Sequence, residues 1–322
     1  MNHNGDLGLA EEMITSVAEC GADAVKFQIF HAESFVTKDA MVYGEGRSGQ
    51  PVTQIDMLKP YEFSLDQWER LKDFSEKKGL IFFASVLDDY SAELFASLEP
   101  PLFKIASCDL TNIPFIKKIA SFTKPTFMST GMSNMAEIDI AVRVFLEKGN
   151  DQLALLQCTS SYPARMEDAH VRAIPVLREA FGLTAGFSDH CKDNYASFAS
   201  VALGASIVEK HFTTDNNLPG VDQEMSLAPD QFKDLVKGIR AVEAGLGNAQ
   251  KKVLPSERAA LENGRKSLVA STFISKGAVI ESEMVAAKRP DKGISPIYYD
   301  LIIGRKARRD IHEDEYLTWE SI

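Results

Sequence analysis

The chain has 322 residues, 45% hydrophobic and 25% charged, with a net charge of −11, the balance of a globular protein with room for one large domain and a small one. The acidic excess argues against nucleic acid or an anionic membrane as partner, and no apolar run approaches the roughly 20 residues of a membrane span. No signal peptide is visible and the four cysteines show no paired spacing, so a cytoplasmic protein with reduced thiols is expected.

Taken in order, Met1–Gly5 reads as a loop and Asp6 as the N-cap of a helix that turns Leu9, Met13, Ile14 and Val17 to one face. Ala24–Phe30 reads as a strand with Lys26 and Gln28 alternating on one face. A long connection from His31 to about Phe63 contains GEGRSGQP, the composition of a binding loop or lid. The capping box from Ser64 to Gln67 starts a helix that buries Trp68, Leu71 and Phe74 and stops at Gly79. Strands follow at Leu80–Ala84, Phe103–Ala106 and Thr126–Met128. A helix then begins at Asn134-x-x-Glu137, burying Ile138, Val142 and Phe145.

Strand Leu153–Gln157 and a helix around Val171–Phe181 lead to strand Thr184–Phe187. A crossover helix near Asn194–Leu203 leads in turn to Ile207–Val208. The last helix of this part starts at Pro229, a first-turn proline. Repeated βα units predict a parallel sheet flanked by helices.

Seven strands are one short of a closed (β/α)₈ TIM barrel, and the one lacking is the first. An open doubly wound sheet is the alternative. Polar residues at every strand end favour the barrel, because an open sheet binds ligands only at its switch point. Two unpaired parallel edges would then face each other. The expectation is that the natural protein begins upstream of Met1, with a further strand and a Glu shortly before Asn2.

The barrel domain is placed at 1–247 and a polar linker at 248–263. A small β-rich domain at 264–322 is marginal alone and should dock on something.

Chemistry gathers at the strand ends, the active-site face of such barrels. His190 and His211 follow consecutive parallel strands, so both imidazoles should emerge at one rim. Each has a carboxylate beside it in sequence, Asp189 or Glu209. Imidazole is the commonest metal ligand and carboxylates commonly orient it, so the pair predicts a shared divalent metal. Lysines that alternate inward from strands are costly in a core, which makes Lys26 and Lys104 telling. Ser85, Ser107, Asp109, Ser160, Tyr162 and Ser188 complete the rim. The whole describes a pocket for a phosphorylated or carboxylated anion. Arg289 reads, from spacing alone, as a solvated arginine.

The motifs NHNG, GADAVKFQ, KIAS-x-D-x-TNIP, STGM, CTSSYP, GFSDH, VALGAS-x-VEKHFT and PG-x-D occur in that order. They resemble the sialic acid synthase family over essentially the whole chain. The stretch from KRP through GISP to the GRKA-x-RDI segment resembles the antifreeze-like (SAF) domain fused to those synthases. The resemblance implies condensation of phosphoenolpyruvate with the open-chain aldehyde of an N-acetylated hexosamine, such as N-acetylmannosamine or a related deoxy sugar. The products would be a nonulosonic acid and phosphate.

It also implies a metal, usually Mn²⁺, on His190 and His211, with Lys26, Lys104, Ser107, Ser188 and Ser85 holding phosphoenolpyruvate. Gln28, Asp109, Tyr162 and Asp222 would line the sugar side. Arg289 would reach the pocket of the other subunit in a domain-swapped homodimer. The chain departs from the family in three places. The Glu-bearing segment before NHNG is absent, the STPF segment reads Ser85-Val86-Leu87 after Ala84, and the SGE segment reads Ser107-Cys108-Asp109. The competing reading is a catalytically impaired sugar-binding or regulatory homologue on the same barrel.

Overall fold

Asp6 sets the first regular turn, its carboxylate accepting from the Leu9 N–H to cap helix α1 (Leu7–Glu19). The structure, a computed structural model, describes residues 1–42 and 53–322. It divides into two units, Met1–Gly247 and Asn248–Ile322. The GEGRSGQP stretch of the expected long connection lies outside the described residues.

In the first unit β1 (Ala24–Ile29) is followed by two short helices, α2 (Ala32–Phe35) and α3 (Gln54–Leu58), and by α4 (Leu65–Lys77). Then come β2 (Ile81–Val86), α5 (Asp89–Ser97), β3 (Phe103–Ile105), α6 (Ile113–Ser121), β4 (Thr126–Ser129) and α7 (Met135–Leu146). The unit ends with β5 (Leu153–Cys158), α8 (Ala173–Phe181), β6 (Thr184–Asp189), α9 (Tyr195–Ala202), β7 (Val208–Lys210) and α10 (Pro229–Leu246). The capping boxes at Ser64 and Asn134 both form, with reciprocal bonds to Gln67 and Glu137. Helices α5 and α6 were not assigned from sequence. Asp88 and Asn112 cap them through the Ser91 and Phe115 N–H groups.

The seven strands pair in parallel in strict chain order, β1 to β7. No strand is skipped, so there is no switch point. The sheet curls as a (β/α)₈-type barrel, not as an open doubly wound sheet.

Residues alternate between two faces along each strand. Phe27, Phe82 and Phe103 face the helix layer, where Phe27 meets Trp68 of α4 and Phe82 and Phe103 meet Phe95 of α5. Lys26 is in register with Phe83, Gln28 with Ser85, and Ser85 with Lys104. That row faces inward, with Phe83 and Phe127 packed edge to face at 5.7 Å. The buried core on the helix side runs without interruption from Ile14 and Val17 through Trp68, Leu71 and Phe95 to Ile116, Phe145 and Leu177.

Among the described residues β1 and β7 are edge strands. The cavity between them measures about 390 Å³ and is lined by Met13 and Val17 of α1, Val25, Val208, and Val236 and Ile239 of α10. At the rim it reaches Met1, Lys26, Gln28, Glu209 and His211. The expected gap in the barrel wall is therefore present, with apolar walls.

In the second unit β8 (Ser267–Ala270) pairs antiparallel with β9 (Val285–Lys288). Isolated bridges join Val269 to Tyr316, Ile274 to Ile311 and Val279 to Lys306. Leu268, Ile274, Ile280, Ile302, Ile311 and Leu317 form its own small core. The segment expected to be linker carries a helix, α11 (Arg258–Gly264). The unit also contains one short helical turn, α12 (Tyr299–Ile302).

Gly186 marks the tightest approach inside the sheet. A Cβ there would lie 2.6 Å from both the Ile207 carbonyl oxygen and Leu156 Cδ2. Gly186→Ala should destabilise the barrel by about 1–3 kcal/mol, the usual cost of overpacking. Urea unfolding checks this, and an unchanged midpoint would mean that β6 and β7 separate at no cost.

Candidate active site

The inward row of charges closes on one residue. Glu209, at the centre of β7, accepts from Lys26 Nζ at 2.8 Å and from the Ser188 hydroxyl at 3.2 Å through Oε1. Its other oxygen, Oε2, lies 3.9 Å from Lys104 Nζ and has no hydrogen-bond partner. Lys104 donates to the Ser129 hydroxyl at 2.6 Å and to its neighbour's carbonyl.

Burial acts to raise the Glu209 carboxyl, but Lys104 and Lys26 outweigh it and hold the group well below the usual carboxylate range. Burial lowers the Lys104 ammonium, against the pull of Glu209. The lysines predicted to face a ligand therefore do so, already sharing one counter-charge.

The two predicted metal ligands come together beside this cluster. The rings of His190 and His211 stand 5.3 Å apart, and Tyr162 packs on the first at 4.3 Å and on the second at 6.1 Å. His190 Nδ1 lies 2.8 Å from the Thr159 carbonyl. A carbonyl only accepts, so Nδ1 carries a proton and Nε2 is the nitrogen left to bind a ligand. Burial, with Lys26 and His190 next in weight, lowers His211 well below its ordinary value and keeps it neutral. Asp222 Oδ2 lies 3.8 Å from His211 Nδ1.

Burial acts to lower His190, but the Cys158 thiol, the Thr159 carbonyl and Glu209 outweigh it and raise the group, so a cation would displace any second proton from it. Two imidazoles side by side have the donor chemistry for one divalent cation. Among the described residues no cluster of three or more His, Cys, Asp or Glu is arranged to hold a metal. These two donors would leave the remaining positions to water or substrate.

Neither neighbouring carboxylate orients its histidine, contrary to expectation. Alternation turns Asp189 to the helix layer, where it bonds Lys210 and Ser197, and turns Glu209 to the lysines. The Thr159 carbonyl and Asp222 flank the rings instead.

The serines divide. Ser107 accepts the Gly131 N–H at 3.1 Å, and a Cβ on Gly131 would stand 2.4 Å from Ser160 Oγ and 2.8 Å from Ser107 Oγ. Glycine is thus required for the β4 loop to lie against both. Ser160 Oγ is buried without a partner, as Glu209 Oε2 is. Ser85 is buried beside Gln28 in register. Asp109 is held by Asn112 at 3.1 Å, not by either site lysine, and burial raises its carboxyl. Arg289 belongs to the second unit and is exposed.

Several contributors were not anticipated. Asn2 donates to the Phe212 carbonyl and the Ser226 hydroxyl at 2.7 Å each, and its own carbonyl accepts from Gln223. Asn4 donates to the Pro219 carbonyl. The NHNG turn thereby fastens the loop that carries Asp222.

A polar rim of lysines, hydroxyls and paired imidazoles on a parallel barrel defines a binding site for an anionic, oxygen-rich ligand. The comparisons are more specific. Residues 13–251 match the model of the NeuB family and residues 265–322 that of the SAF domain. The chain belongs to the NeuB family.

It is 37% identical to an N,N'-diacetyllegionaminic acid synthase of Campylobacter jejuni, over 98% of this chain and 96% of that protein. It is 33% identical to the human N-acetylneuraminate-9-phosphate synthase, over 100% and 90%. Among solved structures it resembles an N-acetylneuraminic acid synthetase from Leptospira borgpetersenii, in complex with citrate. The TM-score is 0.72 at 34% identity, covering 81% of this chain and 87% of that one.

Glu209→Gln should cost about 3 kcal/mol at neutral pH, the scale for breaking a buried charge pair. The folded carboxyl is depressed, so its contribution is present above the unfolded value near 4.3 and is lost as pH falls below it. Denaturation midpoints of the variant and the parent should therefore converge in acid. A gap that widens on acidification contradicts the pairing.

Proposed function

We propose that the protein condenses phosphoenolpyruvate with an N-acetylated hexosamine in its aldehyde form, giving a nonulosonic acid and phosphate. The observation that carries this reading is the juxtaposition of Lys26, Lys104 and the orphaned Glu209 Oε2 with the His190–His211 pair in one pocket. Full-length similarity to synthases of legionaminic and neuraminic acids supports it.

Charge decides what else the pocket needs. Two ammonium groups less the Glu209 carboxylate leave a net of about one positive charge. Phosphoenolpyruvate carries a phosphate of roughly −2 plus a carboxylate. The deficit calls for a cation, and His190 and His211 would hold a divalent metal, Mn²⁺ in this reading. Bound there, it supplies Lewis-acid polarisation of a carbonyl oxygen.

Lys26 and Lys104 hold the carboxylate and phosphate of phosphoenolpyruvate, helped by Ser85, Ser107 and Ser188. Gln28, Asp109, Ser160, Tyr162 and Asp222 line the sugar side. Held this way, the enol carbon lies next to the aldehyde carbon, and orientation replaces collision. Its electron pair forms the new C–C bond while the π pair of the aldehyde C=O moves to oxygen, which takes up a proton to become the hydroxyl. Water adds at the electron-poor carbon left behind and gives up a proton. The C–O bond to phosphate then breaks, leaving the keto acid.

The protein acts as a cytoplasmic homodimer in this reading. The second unit of one subunit supplies Arg289 to the other's pocket, adding the further positive charge.

His190→Ala and His211→Ala should each lower phosphate release from phosphoenolpyruvate and amino sugar by at least 100-fold and leave the purified protein without metal. Elemental analysis and a phosphate assay over a panel of N-acetyl hexosamines check both points and identify the sugar. Full metal content with full turnover in either variant overturns the assignment.

Mixing Arg289→Ala subunits with Lys104→Ala subunits should restore part of the activity, because one hybrid pocket has both residues intact. No recovery after verified subunit exchange contradicts the contribution in trans.

A further inference from the structure

The ends of β6 and β7 are tied together on the face opposite to Ser188 and Glu209. Lys210 Nζ donates to Asp189 Oδ2 at 2.8 Å and to the carbonyls of Cys191 and Asp193. All three ammonium protons are used. Asp189 is equally saturated, accepting from the Ser197 hydroxyl of α9 at 2.6 Å and from the Cys191 N–H at 2.8 Å. The side chains are 2% and 0% exposed.

A buried ion pair is seldom the most stabilising way to fill a core, and a well-packed apolar pair of similar volume usually does as well. What this pair supplies is geometry. Asp189 is followed at once by His190, and Lys210 by His211. Strand alternation sends the ion pair to the helix layer and both rings into the pocket. Any slip of β7 along β6, or any rise of the 191–193 turn, would have to break the pair or its carbonyl contacts before it moved a ring.

We propose that the Lys210–Asp189 pair is a positioning device that holds His190 and His211 at the spacing at which both imidazoles take one divalent cation. Lys210 and Asp189 are positioning residues, since their polar atoms are spent on each other, on Ser197 and on the 191–193 turn. The proposal rests on the metal reading above, and the test separates the two.

Metal-free parent, Lys210→Met, Asp189→Asn and His190→Ala proteins would be titrated with Mn²⁺ by equilibrium dialysis. Thermal melting is recorded alongside, together with the visible spectrum after loading with Co²⁺. The parent should bind one equivalent and His190→Ala should lose it. Lys210→Met should bind Mn²⁺ 10- to 100-fold more weakly, the range for changes behind a metal's ligands, with an altered Co²⁺ spectrum. Asp189→Asn leaves one acceptor oxygen in place of two and removes the charge at nearly the same volume, and should show a smaller loss in the same direction.

If both variants melt lower but keep the parent's Mn²⁺ affinity and Co²⁺ spectrum, the pair is only structural and the proposal fails. Should Lys210→Met not fold, Asp189→Asn decides by the same criterion. A parent that binds no metal, or binds it equally after His190→Ala, removes the metal reading and this proposal together.

Discussion

The Glu209 carboxylate is the constraint on which the pocket depends. Two lysines face inward from β1 and β3, and both are largely withdrawn from water. Without a counter-charge each would carry a desolvation cost of several kcal/mol. Glu209 meets both from the opposite wall, through one oxygen to Lys26 and the other toward Lys104. It leaves Oε2 unsatisfied and the cluster with surplus positive charge. That surplus favours an anion.

The strand alternation does the remaining sorting. In β7 the residue facing in is Glu209 and the one facing out is Lys210. In β6 they are Ser188 and Asp189. One register thus produces two charge systems back to back. The inner one is open to ligand and the outer one is closed by α9. His190 and His211 lie just past the strand ends, where both systems bear on them.

Much of this was legible in the sequence wherever the determinant is local. The caps at Asp6, Ser64 and Asn134 and the first-turn proline at Pro229 need only a few neighbouring residues, and each forms where expected. Lys26 and Gln28 could be placed inward by alternation within one strand. The pairing of Lys26 with Glu209 spans 183 positions and of Asn2 with Ser226 spans 224, so no local pattern announces either. Asp189 and Glu209 were misjudged as partners of the histidines next to them. Adjacent strand residues point to opposite faces, and the two apolar residues Ile207 and Val208 do not reveal the parity of so short a strand. α5 and α6 were passed over, although Asp88 and Asn112 supply ordinary caps.

In the proposed function the pocket's own charge is too small for phosphoenolpyruvate, and a cation between His190 and His211 would complete it. Calorimetric titration of phosphoenolpyruvate into the full chain, with Mn²⁺ and again in excess chelator, tests this most directly. Binding should be strong with the metal and at least tenfold weaker without it. Equal affinity in both would show that the lysines alone hold the ligand and would contradict the account.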